Sequence, residues 1–164
     1  LAWAQLIYQT LNASYFCDPT IFSWLILESH RLWVEYGPCW QLMSGMGGAP
    51  FLMVVLRQDY RMAYIVSRHM IALNEGLGYI NGKSFLRTNY GIGAGHWVEP
   101  LENVVKEFRK ARFELMQAGD FAFYTYIAAD LLLDCSSTLD AAAAETDAGL
   151  ALASRVRNLD YTLR

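Results

Sequence analysis

Residues that start and stop helices recur along the whole chain, whereas no two alternating runs are joined by an Asn-Gly or Asp-Gly turn of the kind that makes a hairpin of strands. This punctuation constrains the fold more than any other feature. Asp18-Pro19 is a capping residue followed by proline at the first helical position, and it opens a helix through Trp24, Leu27 and Trp33 to Gly37-Pro38. Gln58-Asp59-Tyr60 opens another, in which Tyr60, Ala63, Tyr64, Ser67, Met70 and Ile71 recur at helical spacing until Gly76. Gly119 ends a helix and Asp120 caps the next. Ser137-Thr138-Leu139-Asp140 fits a capping box before an alanine-rich run ending near Leu159. The pattern predicts helices over 1–15, 19–36, 39–56, 59–75, 80–95, 98–118, 121–136 and 138–159. Their short connections make consecutive helices antiparallel neighbours, so the chain reads as four helical hairpins in one domain over 1–164.

The hairpins also repeat. Aligning the starts of their second helices places Pro19, Tyr60, Trp97 and Leu139 in register, at separations of 41, 37 and 42 residues. Such periods belong to arrays of stacked helical pairs. Within the second hairpin, Gln58-Asp59-Tyr60-Arg61-Met62-Ala63 resembles the turn and small-residue position that open the second helix of a tetratricopeptide repeat. The other pairs depart from that pattern: Pro100 takes the small-residue position in the third, and the first-helix Trp and Gly are missing. The expected fold is therefore all α, a right-handed solenoid of degenerate tetratricopeptide-like hairpins with about eight helices. Leu1 stands mid-helix with Trp3, Leu6 and Ile7 already in pattern, so a slab of a longer array is expected.

The stretch from Gly91 to Leu159 carries a second likeness. Gly91, the run Gly95-His96-Trp97-Val98-Glu99-Pro100-Leu101, Gly119-Asp120 and Leu150-Ala151-Leu152-Ala153 resemble the helical-repeat region of very large signalling proteins. Those proteins join a serine/threonine-kinase-like domain, a P-loop ATPase, helical repeats, a GAF domain and often a histidine kinase. Residues 14–76, with Tyr15-Phe16, Asp18-Pro19 and Asp59-Tyr60-Arg61, fit the preceding part of that region more loosely. The resemblance implies a non-catalytic interaction and signal-relay module, with kinase and ATPase activity in neighbouring domains.

Composition removes several function classes. Thirteen basic against sixteen acidic residues leave a net charge of −3, the wrong sign for tracking phosphates, so nucleic acid is not an expected partner. Charged residues make up 18% of the chain, below a typical share of about 25%, which implies surface normally covered by a protein or a neighbouring domain. Residues 38–56 are uncharged, but prolines, glycines, Gln41 and Ser44 dilute their hydrophobicity; a buried helix kinked or interrupted at Pro50 is expected there, not a membrane span. Cys17, Cys39 and Cys135 have no pairing or metal-binding spacing and read as free thiols of a cytoplasmic protein.

No motif supplies chemistry. Gly82-Lys83-Ser84 lacks the glycine five positions upstream that a phosphate loop needs, since Leu77 stands there. Gly91, Gly93 and Gly95 have the wrong spacing for a dinucleotide turn, and Gly91 and Gly95 would put bare backbone on one helix face for a neighbouring helix to approach. His30, His69 and His96 are isolated, so neither a metal nor another cofactor is expected. The candidate binding groove comes from the repeat register. Lys83, Arg87 and Tyr90 on one first helix and Tyr126, Asp130 and Asp134 on the next fall at matching heights and would line one concave face. An internal salt bridge or a solvated stripe is the more ordinary reading of those charges. A second reading makes the groove a small-molecule sensor, from Trp40, Phe85, Tyr90, Phe123, Tyr124 and Tyr126 on first helices. A third makes Asp130 and Asp134 acid and base of an enzyme, for which nucleophile and oxyanion donor are missing.

Overall fold

The computed structural model describes residues 2–119 and 138–155. The helix expected over 121–136, with Tyr126, Asp130 and Asp134, lies outside them. Among the described residues the regular structure is entirely helical: α1 (Ala2–Cys17), α2 (Pro19–Tyr36), α3 (Trp40–Met46), α4 (Ala49–Arg57), α5 (Tyr60–Gly76), α6 (Lys83–Gly93), a short 3₁₀ turn (Gly95–Trp97), α7 (Leu101–Ala118) and α8 (Leu139–Arg155).

The capping chemistry acts where the sequence puts it. The Asp18 carboxylate accepts the backbone N–H groups of Thr20 at 2.8 Å and Ile21 at 3.1 Å, with Pro19 in the first turn of α2. Asp59 accepts the N–H of Met62 at 2.9 Å and starts α5. Thr138 accepts the N–H of Ala141 at 3.1 Å at the head of α8.

One expected helix is two. The run 39–56 breaks at Gly47-Gly48, ahead of the expected position, and Pro50 sits in the first turn of α4, where its missing N–H is harmless. Packing explains the position. A Cβ on Gly47 would lie 2.8 Å from Leu86 Cδ2, and one on Gly48 would lie 2.6 Å from Ile26 Cδ1, so the bend is where α2 and α6 close on bare backbone.

The backbone divides into two compact units, Leu1–Val98 and Glu99–Arg164. In the first, α1 packs on α2 and α3, α2 on α3, α4 on α5 and α6, and α5 on α6. One apolar cluster joins α1, α2 and α3 through Ile7, Leu11, Leu25, Ile26, Leu32 and Leu42; another joins α3, α5 and α6 through Met43, Met46, Met70, Ile71, Leu86 and Tyr90. In the second unit, α7 buries Val104, Val105, Phe108, Ala111 and Leu115 along one face, and Arg112 reaches Glu145 of α8 at 3.0 Å.

Candidate functional site

Lys83, Arg87 and Tyr90 follow one another at i, i+4 and i+7 on α6, the spacing of a single helical face. The structure turns that face toward α5. Arg87 Nη2 donates to Glu75 Oε1 at 2.5 Å, and Lys83 Nζ lies 3.8 Å from the same oxygen. Arg87 is 5% exposed, while the Glu75 side chain keeps 46% of its surface, so the pair leads from the interior to solvent. Tyr90 is fully buried in the second apolar cluster, 6.1 Å from the Tyr64 ring and with the Arg68 guanidinium 5.6 Å from its centroid. Tyr126, Asp130 and Asp134 lie outside the described residues, and of the three expected groove residues on α6, Tyr90 belongs to the core and Arg87 is buried.

Glu75 is a partner that the sequence reading did not consider. Its signal was the hairpin itself: an antiparallel turn over 77–82 brings the last turn of α5 beside the first turns of α6.

The residue before Glu75 is unusual. Asn74 is wholly buried, and neither end of its amide has a hydrogen-bond partner among the described residues. Other buried polar side chains nearby solve that problem within their own helices. The hydroxyls of Ser29, Ser44, Ser67 and Thr88 each donate to the carbonyl four residues earlier, at 2.8 to 3.0 Å. An amide needs both an acceptor and a donor, and leaving a buried polar group unsatisfied costs about 1 to 3 kcal/mol.

The second noteworthy region is the outer surface of the α1–α2 hairpin. All sixteen residues of α1 are uncharged, yet Trp3 and Leu6 are about half exposed. On α2, Ile21, Trp24, Leu27 and Val34 face outward with half or more of their surface exposed. Trp3 Nε1 donates to Glu28 Oε1 at 3.4 Å, which places the two rows side by side. Arg31 bonds both Glu28, at 2.7 Å, and Glu35. That guanidinium, with the Trp3 N–H, holds the Glu28 carboxyl below the usual range, while a hydrogen bond to Glu35, and then the Glu35 charge, raise the Tyr36 phenol.

A third cluster closes the first unit. Tyr60 and Trp97 rings stand 4.8 Å apart, the His96 ring lies tilted 4.7 Å from Trp97, and His96 Nδ1 is 3.0 Å from the Gly91 carbonyl. That contact assigns the proton to Nδ1 in the neutral ring.

Among the described residues, no group of three His, Cys, Asp or Glu side chains is placed to hold a metal, and no helix is long and apolar enough to cross a membrane. Comparison with known proteins finds no matching family model, no matching curated protein and no matching solved structure.

Proposed function

We propose that the chain is a non-catalytic helical-repeat module, of the tetratricopeptide-like right-handed solenoid type, that binds a protein or a neighbouring domain and relays signals within a multidomain kinase or ATPase. The observation that carries this reading is the outer face of α1 and α2, where Trp3, Leu6, Trp24 and Leu27 stand half exposed on a helical pair with few charges. Contiguous apolar surface on a folded protein marks a contact. Two antiparallel helices offer a shallow strip along which another helix can lie. Trp24 would be the anchor, since large aromatic side chains dominate the energetics of such contacts.

The test is native mass spectrometry of the chain with its neighbouring domains supplied in trans, comparing wild type with the double variant Trp24→Glu/Leu27→Glu. The expected result is a complex that the double variant loses while keeping its helical circular dichroism. Equal complex formation by both proteins would remove the α1–α2 face from the account.

The sensor reading stays as the alternative because α5 and α6 bury polar side chains, Asn74, Arg87 and Thr88, in one hairpin. A reproducible small-molecule adduct that denaturation releases would favour it.

A further inference from the structure

We propose that Asn74 is the recognition residue of a small-ligand site at the end of the α5–α6 hairpin, and that its ligand presents a hydrogen-bond donor and an acceptor side by side, as a carboxamide does. This inference is independent of the α1–α2 docking surface.

One observation carries it. Asn74 is 0% exposed and has its amide nitrogen and oxygen both unpartnered, the one such side chain among the buried polar residues of α5 with two complementary groups to satisfy. Native proteins pair nearly all buried polar groups, so an orphaned amide marks a place where something else supplies the partner. A carboxamide meets an Asn amide through two parallel hydrogen bonds, N–H to C=O in each direction.

The residues that follow, 75–78, are solvent-exposed, and the backbone carbonyl of Asn74 accepts the N–H of Tyr79 at 3.2 Å, so the residue stands where α5 gives way to the exposed connection to α6. Glu75, the next residue, pairs with Arg87 and lies 3.8 Å from Lys83, so the connection carries charge at its surface.

The test is a titration of the isotope-labelled chain with acetamide, followed through the side-chain amide signals of Asn74. Those signals are identified by their absence in Asn74→Leu, or in Asn74→Ser where the leucine variant does not fold. The expected result is a saturable movement of both amide protons, together with a rise in Tm on acetamide addition that the variants lack. Acetate, which offers acceptors alone, should move them less. The inference is overturned if the signals stay fixed through the titration, if acetate acts more strongly than acetamide, or if they contact only a long-lived water that acetamide does not displace. It is also overturned if Asn74→Leu raises Tm and wild type shows no response to acetamide, since the amide would then be a plain packing defect.

Discussion

Replacing Asp18 by alanine removes the acceptor of two backbone N–H groups at the head of α2, and the expected loss is about 1 kcal/mol of unfolding free energy in urea titration. Glu75→Gln acts differently. Arg87 stays buried after the substitution and loses a charged acceptor, but Glu75 itself is about half exposed, so the expected cost is about 1 to 2 kcal/mol, below the 3 to 5 typical of fully buried pairs. The two residues also mark how far sequence reasoning reaches at this scale. Asp18 is legible because its acceptor role is local and needs only the next three residues. Glu75 is not, since its importance depends on which α6 residues a turn sets beside it. Asn74 was invisible for the same reason: an Asn among Met70, Ile71 and Leu73 gives no sign of whether its amide finds a partner.

At the scale of elements, close packing of α2 on α3 sets a sharp prediction. A Cβ on Gly45 would stand 2.1 Å from Ser29 Oγ and 2.9 Å from Ser29 Cβ. Gly45→Ala should therefore destabilise the chain by about 1 to 3 kcal/mol despite alanine's higher helix propensity, and Ser29→Ala should restore part of the loss by removing the hydroxyl. Thermal unfolding of the two single variants and the double variant checks the coupling. The α1–α2 hairpin responds to pH instead. Because the Glu28 carboxyl is held below its unfolded value, its contribution is fully present above that value and disappears as pH falls through the folded one. Wild type should lose an increment of stability as pH falls below the ordinary carboxyl value of 4.5 that Arg31→Gln lacks, with Trp3 fluorescence reporting the change locally.

The elements themselves were largely readable. Helices at 19–36, 59–75 and 98–118 have caps or glycine stops that act through adjacent residues, and the observed α2, α5 and α7 lie within a few residues of those bounds. The uncharged run 39–56 was harder. Proline is the stronger breaker by propensity, but at the second position of α4 it breaks nothing, and the bend falls where Leu86 and Ile26 approach the chain. Only the folded arrangement supplies those neighbours. The end of α6 has a related cause: Gly93 lies against Phe51 and Gly95 against Tyr90, and the helix gives way there to a 3₁₀ turn.

For the whole molecule, the expectation of an all-helical chain holds over the described residues. Solenoid handedness and the signalling context belong to the proposed function. In the first unit Arg87 of α6 is drawn into the α5–α6 hairpin, whereas Trp3, Leu6, Trp24 and Leu27 on the outer face of α1 and α2 face solvent. Apolar area removed from water contributes roughly 25 cal/mol per Å², so the partner that we propose for the outer α1–α2 face would gain stability by covering it.

Site-specific photo-crosslinking tests this claim most directly. A photoreactive p-benzoylphenylalanine replaces Trp24 on the outward face of α2, and in a parallel protein it replaces Arg61, an exposed residue of α5, within the native polypeptide in its own cells. The account predicts a discrete protein adduct from position 24, or an internal crosslink to a neighbouring domain, and neither product from position 61. No adduct at position 24, or the same products from both positions, would contradict it.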